Sequence, residues 1–247
     1  FTSATNANNT AVGYQAGVAL TTGINSTFVG SLSGDAITTG NQNTALGTLS
    51  LSTETTGAKS VALGYAALTT QNSTNSADMF NVAVGYEAGG AITTGAGNTL
   101  IGALVGDANT DGVANVAVGG DGTYAALGAD TRGKFSTAIG FGALTAQNFT
   151  SVTDSGNTAV GYFAGGVNAT GKFNTYVGAV AGDDSNDGNE NVALGYAALS
   201  ANHGDGNTAV GKQALTACTS GNNTAVGFKA GLANTTGNEN TFLGNKA

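Results

Sequence analysis

A single five-residue sequence, Asn9-Thr10-Ala11-Val12-Gly13, recurs in recognisable form fourteen times along the chain. Each copy ends on a glycine, which we name the anchor glycine of its repeat. Anchor glycines are spaced by 17 residues eight times, by 21 three times and by 16 twice. They are Gly13, Gly30, Gly47, Gly64, Gly85, Gly102, Gly119, Gly140, Gly161, Gly178, Gly195, Gly211, Gly227 and Gly244. Self-similarity at a short period indicates a solenoid, in which each repeat forms one coil and packs on the next.

The composition fits coils that are made of short strands and tight turns. The 247 residues include 41 glycines, no proline and no tryptophan, and only 7% are aromatic. Gly, Asn, Thr and Ser are poor helix formers, and no stretch has a sustained 3.6-residue apolar period. The sequence therefore predicts an all-β fold, a parallel β-roll or β-solenoid of about 14 coils of roughly 17 residues with a thin core. We expect one repeat domain over residues 1–247 and, because the chain begins at Phe1 rather than at methionine, a fragment of a longer fibre.

The residues before each anchor glycine alternate as in a β-strand. Three residues before the glycine stands Thr in ten repeats and Val in four, and two before it stands Ala in ten. The residue immediately before it is always Val, Leu or Ile. This alternation places Thr or Val and the aliphatic residue on one face, and Ala and Gly on the other. We predict that the β-branched and aliphatic face fills its own coil and that the Ala-Gly face lies against neighbouring chains.

A polar residue stands directly before every predicted repeat strand. Four residues before the anchor glycine stands Asn in eleven repeats and Ser in three, namely Ser26, Ser60 and Ser136. A polar side chain at the same place in every coil can cap backbone groups of the turns or form a ladder through the stacked coils. The alternative is that Asn is only a turn-forming residue at the strand entry. Both interpretations remain open at this stage.

A longer period of four repeats is superimposed on the first. The position that usually holds alanine is bulky in only four repeats, at Phe28, Leu100, Tyr176 and Phe242. Four residues after the anchor glycine, the repeats read Gly, Gly, Leu, Leu with the same period, where Leu127 is aligned by treating residues 120–123 as an insertion. We predict that the four bulky residues lie at an interface between chains, one per ~19 Å if coils rise by about 4.8 Å. The alternatives are that they face solvent or the interior of the roll.

The repeats resemble the head repeats of trimeric autotransporter adhesins (YadA-like), and similar repeats occur in bacteriophage tail-fibre proteins. Residues 60–64 (Ser-Val-Ala-Leu-Gly) and 191–195 (Asn-Val-Ala-Leu-Gly) are similar to the Asn-Ser-Val-Ala-Ile-Gly repeat of that family. The resemblance covers essentially the whole chain and is carried by the repetition rather than by one copy. It implies a left-handed parallel β-roll, three chains around a common axis, and a surface fibre that attaches to host matrix or cells. It implies no catalytic residue.

Two turns carry alternating oxygen-bearing side chains before a glycine. They are Asp107, Asn109 and Asp111 in one turn, and Asp183, Ser185 and Asp187 in the other. Calcium loops begin with such an alternation. The bidentate glutamate expected at the twelfth position is absent, because Val118 and Leu194 stand there. Calcium binding and ordinary Asp-Gly turns both remain open, and no other cofactor is expected.

Charge and the few reactive residues argue against several functions. Only 9% of residues are charged, the net charge is −8, and the seven basic residues are scattered, which argues against a phosphate-tracking surface for nucleic acid. No apolar run approaches the ~20 residues that span a bilayer. We expect Cys218 to be a packed thiol and His203, the only histidine, to be a solvent-exposed turn residue. No enzyme active site is therefore expected.

The leading functional prediction is a homotrimeric structural and adhesive module of an extracellular fibre, on a cell surface or a virion, that binds host-surface glycan or protein. One alternative is a solenoid that binds ice or another crystalline surface through a flat array of threonines, although we expect the threonines to face the interior. Another is a non-adhesive subunit of a structural filament. A polysaccharide-cleaving β-helix enzyme would have to use the two Asp turns.

Overall fold

The structure is a computed structural model that describes residues 7–73 and 75–247. In these residues the regular secondary structure is β-strand, joined by turns, and there is no helix. The strands are β1 (Thr10–Val12), β2 (Thr27–Val29), β3 (Thr44–Leu46), β4 (Val61–Leu63), β5 (Val82–Val84), β6 (Thr99–Ala103), β7 (Val116–Asp121), β8 (Gly133–Lys134), β9 (Thr137–Ile139), β10 (Thr153–Asp154), β11 (Thr158–Val160), β12 (Thr175–Val177), β13 (Val192–Leu194), β14 (Thr208–Val210), β15 (Thr224–Val226) and β16 (Thr241–Leu243).

Fourteen of these strands belong to the repeats, one strand per repeat, and each begins three residues before its anchor glycine. Within residues 7–122 and within residues 123–247, successive repeat strands pair in parallel, and paired residues occupy the same position in their repeats, as Thr10 and Thr27 do. Backbone bonds also join successive turns; for example, the N–H of Thr21 donates to the carbonyl oxygen of Thr38 at 2.9 Å. These findings confirm the predicted all-β parallel solenoid of about 14 coils with about 17 residues per coil.

The chain divides into two compact units, residues 1–122 and 123–247. In the first unit, strands β1 to β7 follow one another in chain order in a parallel sheet, with a register shift between Ile101 and Ala103 where β6 meets the longer β7. In the second unit, β9 and β11 to β16 follow one another in the same way. Strands β8 and β10, which lie between the repeat strands in sequence, form a separate parallel pair.

The two faces of each strand are exchanged relative to the sequence prediction. The middle residue of the strand points into the coil, and Ala45, Ala62 and Ala83 are fully buried. The first and third residues lie on the outer face, and none of them is buried in any of the fourteen strands. Alanine suffices inside the coil because larger side chains from the turn after the glycine, such as the fully buried Leu51 and Leu68, fill the remaining space.

The four bulky residues lie inside the coils and not at an interface between chains. Phe28 and Tyr176 have no exposed surface and Leu100 is 2% exposed. Phe242 belongs to the last repeat, is half-buried, and has its Cδ2 2.7 Å from the point where a methyl group on Gly231 would lie. A side chain that is already buried within its own chain has no surface to offer a partner. The prediction that these residues form an interface is therefore corrected.

Glycines in the turns make room for the bulky side chains. A methyl group on Gly17 would lie 2.9 Å from Cδ2 of Phe28, and one on Gly34 would lie 2.5 Å from its Cδ1. In the next two repeats alanine replaces phenylalanine, and Leu51 and Leu68 stand where the glycines stood. One aromatic ring thus fills the interior of two coils, and two leucines fill the interior of the next two coils. The Gly-Gly-Leu-Leu order and the bulky residue in every fourth repeat are two parts of one packing arrangement.

Close approach of the backbones explains why the anchor residue is always glycine. Gly47 has a φ of 137°, and a methyl group added to it would lie 2.6 Å from the carbonyl carbon of Gly64 in the next coil. A side chain would therefore clash with the backbone itself, which cannot move aside as a flexible side chain can.

The asparagine that precedes most of the repeat strands forms both the ladder and the cap. Asn174 Oδ1 accepts the N–H of Asn191 in the next coil at 2.9 Å, and its Nδ2 donates to the carbonyl oxygen of Gly188 at 2.7 Å. Asn157 makes the corresponding bonds to Asn174 at 2.8 Å and to Gly171 at 2.7 Å. These asparagines are fully buried. The ladder interpretation is confirmed, and each asparagine ties its own turn to the coil that follows.

Replacing Asn174 by alanine should lower the free energy of unfolding by roughly 2–4 kcal/mol, because it leaves two buried backbone groups without partners. Replacement by serine should cost less, since serine already serves at Ser26, whose Oγ accepts the N–H of Asn43 at 3.1 Å. Urea denaturation of the two variants and amide exchange at Asn191 measure the effect. Equal losses for alanine and serine would contradict the ladder's role.

Candidate functional site

The outer side chains of the first and third strand residues form a surface that we name the ladder face. The first positions hold Thr or Val and the third hold Val, Leu or Ile, so none of these side chains is charged. Val12 is 58% exposed, Leu46 and Leu194 are 46% exposed, and Leu243 is 77% exposed. Each compact unit therefore presents an uncharged strip with one residue per coil in each column, the third-position column being aliphatic and the first-position column mostly threonine. Contiguous exposed apolar surface of this kind marks an interaction site.

Aromatic residues follow the anchor glycine in half of the repeats, and all of them except the half-buried Phe141 are exposed. They are Tyr14, Tyr65, Tyr86, Phe141, Tyr162, Tyr196 and Phe228. The rings of Tyr65 and Tyr86 stack with centroids 5.4 Å apart and planes 10° apart. Those of Phe141 and Tyr162 stack with centroids 5.8 Å apart. Aromatic residues that remain exposed provide large apolar contact areas for a partner.

A groove of about 450 Å³ opens in the first compact unit beside the Tyr65 ring. Its lining includes Tyr65, Ala66, Thr70, Glu87, Gly90 and Asp107. The volume falls within the range of about 300–1,000 Å³ that is typical of ligand pockets. The described lining contains two carboxylates and no basic side chain. The groove therefore combines one exposed ring with a concentration of negative charge.

Local electrostatics couple the groove's carboxylates to their surroundings. Burial raises the pKa of the Asp107 carboxyl, the N–H groups of Asp107 and Ala108 lower it, and the charge of Glu87 raises it further. The hydrogen bond with Glu87 raises the pKa of the exposed Tyr86 hydroxyl, and the charge of Glu87 acts in the same direction. The charge of Glu87 therefore acts on both the Tyr86 hydroxyl and the Asp107 carboxyl.

Both predicted calcium turns place their middle residue inside the coil. Asn109 is 3% exposed, and its Oδ1 accepts the N–H of Gly112 at 2.9 Å. Ser185 is fully buried, and its Oγ lies 3.5 Å from Nδ1 of His203. These middle side chains are therefore directed to partners within the chain.

The outer residues of the two turns lie nearer the surface. Asp111 Oδ1 accepts the hydroxyl of Thr110 at 3.1 Å, and Asp187 is exposed. Burial, and secondly the charge of Asp184, raise the pKa of Asp183 to about 6. Among the described residues, no three His, Cys, Asp or Glu side chains form a group that could hold a metal ion. Calcium binding at these turns stays a prediction that a calcium titration can test.

His203 is buried, and the expectation of a solvent-exposed turn residue was wrong. Its side chain is 2% exposed, and its ring meets that of Tyr176 at a centroid distance of 6.1 Å. Nδ1 lies 3.1 Å from the carbonyl oxygen of Gly204, so a neutral imidazole can donate there. Nε2 has no hydrogen-bond partner among the described residues. Burial lowers the pKa of His203 to about 4, because a charged imidazole would be desolvated.

Acidification should destabilise the fold through His203. Its pKa is about 4 in the folded chain against 6.5 for a free imidazole, so the stability from the neutral ring is complete above pH 6.5 and is lost as the pH falls toward 4. The loss should be about 3 kcal/mol. Asp183 acts in the opposite sense, because its pKa is raised in the folded state. The measurement is therefore the difference in unfolding free energy between wild type and His203→Asn, from pH 7 to pH 4. A difference that does not change with pH would contradict this role.

Sequence reasoning missed two fully buried carboxylates, Glu54 and Asp130. Glu54 Oε1 accepts the N–H of Gly57 at 2.6 Å, and its Oε2 accepts from Gln71 Nε2 at 3.0 Å. Asp130 accepts from Gln147 Nε2 at 2.6 Å, and burial raises its pKa. The signal was an acid followed 17 residues later by glutamine, which occurs in both places. Because turn N–H groups and amides satisfy these acids, we assign them a structural role.

These features define a class of protein, a parallel β-solenoid with an uncharged ladder face and an aromatic groove. No protein-family model, curated protein or solved structure matches the chain. Within the described residues there is also no helix of the length and apolar character needed to cross a membrane.

Proposed function

We propose that this chain is a structural and adhesive module of an extracellular fibre, in which three copies pack their ladder faces around a common axis. The observation that carries the proposal is the ladder face. It comprises two side chains in each of fourteen strands, none of them charged and none of them buried within the chain. A soluble monomer rarely leaves so regular an apolar surface in contact with water.

The energy available from this surface is substantial. Burying the exposed part of one of these Val, Leu or Ile side chains contributes ~0.5–1 kcal/mol, so the fourteen aliphatic third positions, half of them exposed and half of intermediate burial, offer on the order of 10 kcal/mol per chain before the costs of association. A second copy is the best-matched partner, because it has the same residues at the same spacing of about 4.7–4.9 Å along its strands. A closed symmetric assembly would cover the face completely.

The number of copies and the location are proposed from the resemblance to trimeric autotransporter adhesin heads and phage tail fibres. Three chains, a left-handed coil and display outside a cell or on a virion are the corresponding expectations. In such an assembly the turns after the anchor glycines face outward. Those turns, rather than the ladder face, would contact the surface of a host.

Disulfide cross-linking tests which face meets the partner. In a Cys218→Ser background, a cysteine in place of Val84 on the ladder face should form disulfide-linked dimers on mild oxidation. A cysteine in place of Thr94, which is exposed in the turn after the same strand, is the matched control and should not. Equal cross-linking at the two positions, or none at Val84, would count against the proposal.

One observation favours a second function, the binding of ice or another crystalline surface. The threonines of the ladder face, such as Thr10, Thr27 and Thr224, are exposed and repeat at the spacing of a flat sheet. The sequence-based objection that they face the interior no longer holds. Thermal hysteresis shown by a monomeric protein would support this function. A stable trimer without thermal hysteresis would remove it.

A further inference from the structure

We propose that the two edges of the ladder face form a second contact between copies of this chain, in which the edge before the strands of one copy meets the edge after the strands of its neighbour. The inference rests on the proposed function, because it takes a further copy of the chain as the partner. It adds the residues that meet and the parallel, in-register arrangement of the copies.

Two columns of outward-facing residues flank the ladder face. The residue five before each anchor glycine and the residue one after it continue the alternation of the first and third strand residues, one column on either side. Phe135, five residues before Gly140, is 53% exposed, and Tyr162, one residue after Gly161, is 56% exposed. We name the column five residues before the anchor glycines the leading edge. The residues one and two positions after the anchor glycines form the trailing edge.

In the second compact unit the two edges carry opposite charges. The charged residues of its leading edge are both acidic, Glu190 and Glu239, and those of its trailing edge are all basic, Lys212, Lys229 and Lys246. Four of these side chains are exposed and that of Lys229 is half-buried. Within the described residues, none of the five forms a salt bridge. Each edge therefore holds charges that have no opposite charge beside them in their own chain.

These charges also match coil by coil. Glu239 and Lys246 flank the same strand, β16, and Glu190 belongs to the coil before that of Lys212. One coil is about 4.8 Å along the stack, which a lysine side chain can span. When parallel copies lie with their strands at equal heights, each leading-edge acid thus has a trailing-edge lysine of the neighbour within reach. Complementary charges of this kind set the register of a contact.

The first compact unit has the same arrangement with the signs reversed. Its leading edge carries Lys59, and its trailing edge carries Glu87 and Asp121. If the first unit of one copy lay beside the second unit of another in parallel, Lys59 would face the trailing-edge lysines and Glu87 would face leading-edge acids. Like charges disfavour that displacement. The reversal of sign therefore favours copies that are in register.

The first three coils of the second unit carry no charge on either edge and present aromatic rings instead. On the leading edge, Phe135 and Phe173 are 53% and 55% exposed. On the trailing edge, Phe141 and Tyr162 stack with ring centroids 5.8 Å apart. Rings from the two edges of neighbouring copies can cover one another and extend the apolar contact of the ladder face. Only the first two residues of each turn take part, so the rest of the turn stays available to a host surface.

The contact is heterologous, because two different edges meet. A closed ring of parallel copies uses every leading and every trailing edge. An antiparallel pair would instead bring leading edge against leading edge. The identity of the residues that meet therefore distinguishes the two arrangements.

Carbodiimide coupling tests the pairing in the unmodified protein, because it joins a carboxylate to an amine only when the two are in contact. Isotope-labelled and unlabelled chains are unfolded and refolded together in equal amounts, and the cross-linked peptides are identified by mass spectrometry. We expect links from Glu239 to Lys246 and from Glu190 to Lys212 that join a labelled chain to an unlabelled one. Lys59 and Asp78, whose Nζ and Oδ2 lie 2.6 Å apart within the chain, are the matched control. Their link should never be of mixed isotope composition.

Charge reversal on the two edges is the second test. One double variant is Glu190→Lys with Glu239→Lys, and the other is Lys212→Glu with Lys246→Glu. Each should lower the association constant by roughly tenfold or more in a dilution series, because like charges then meet at the contact. The quadruple variant keeps the net charge of the wild type, restores opposite signs, and should associate to within several-fold of the wild type. All four side chains are exposed, so the fold should tolerate the changes.

The inference is overturned if no mixed-isotope links join the two edges, if Glu190 links to Lys59 of another copy, or if the quadruple variant associates no better than the double variants. A trimer mass without leading-to-trailing links would remove this inference alone. A dimer mass with those links would remove the trimer alone. A monomer mass would remove the proposed assembly and this contact together.

Discussion

Replacing Gly34 by leucine is expected to destabilise the first compact unit by about 3–5 kcal/mol, and Phe28→Ala together with Gly17→Leu is expected to restore it. The added side chain would occupy the space of the Phe28 ring, since a methyl group alone would lie 2.5 Å from Cδ1 of that ring. Backbone strain is not the cause. Gly34 has a φ of 55°, and the native Leu51 occupies the same position of the next repeat with a φ of 52°.

Phe28→Ala by itself should also cost about 3–5 kcal/mol, because it leaves a cavity. The triple variant Gly17→Leu, Phe28→Ala, Gly34→Leu reproduces the composition of the third and fourth repeats, where Leu51 and Leu68 accompany alanine. It should lie within about 1–2 kcal/mol of the wild type, as volume-conserving core exchanges do. Urea denaturation of the two single variants and the triple variant measures this coupling. A triple variant whose loss equals the sum of the single losses would contradict the shared-space arrangement.

Charging the ladder face is expected to dissociate the proposed assembly without unfolding the chain. The double variant Val84→Glu, Ile101→Glu places two carboxylates per chain in adjacent coils of a surface that is otherwise uncharged. Each would have to lose its hydration in the assembly, which costs several kcal/mol per ion, and copies around an axis would repel one another. The strands should persist, because Val84 is half-buried and Ile101 is 40% exposed, so that neither fills the coil interior.

Light scattering and circular dichroism on this variant separate assembly from folding. The expected result is a monomer mass with an unchanged β-sheet spectrum. Thr94→Glu, which adds a charge to an exposed turn of the same unit, should leave the mass as in the wild type. An unchanged mass for the double variant would show that the ladder face is not the site of contact.

The repeat period was enough to predict the strands and their parallel register, because Thr10 and Thr27 pair as the 17-residue spacing requires. It could not say which strand face is inside. An alternating pattern separates the residues of the two strand faces but does not say which face is buried. That depends on the side chains of the following turn that point into the coil. Leu51 and Leu68 occupy the interior and leave room only for alanine.

Other features depend on contacts between coils that a pattern does not encode. His203 is buried because the Tyr176 ring meets it across successive coils. The groove depends on the small residues Ala66 and Gly90, which belong to different repeats. The sequence of one repeat alone does not indicate that a groove forms between them. By contrast, the asparagine ladder was one of the two interpretations that the sequence offered, because the same polar residue at one position of most coils can meet its own copies.

In the proposed assembly, copies of the same chain cover the ladder face. The most direct measurement is the mass of the wild-type protein by light scattering over a dilution series. We expect three times the chain mass of 23.9 kDa throughout the series. A single species of 23.9 kDa with the ladder face in contact with water would contradict it.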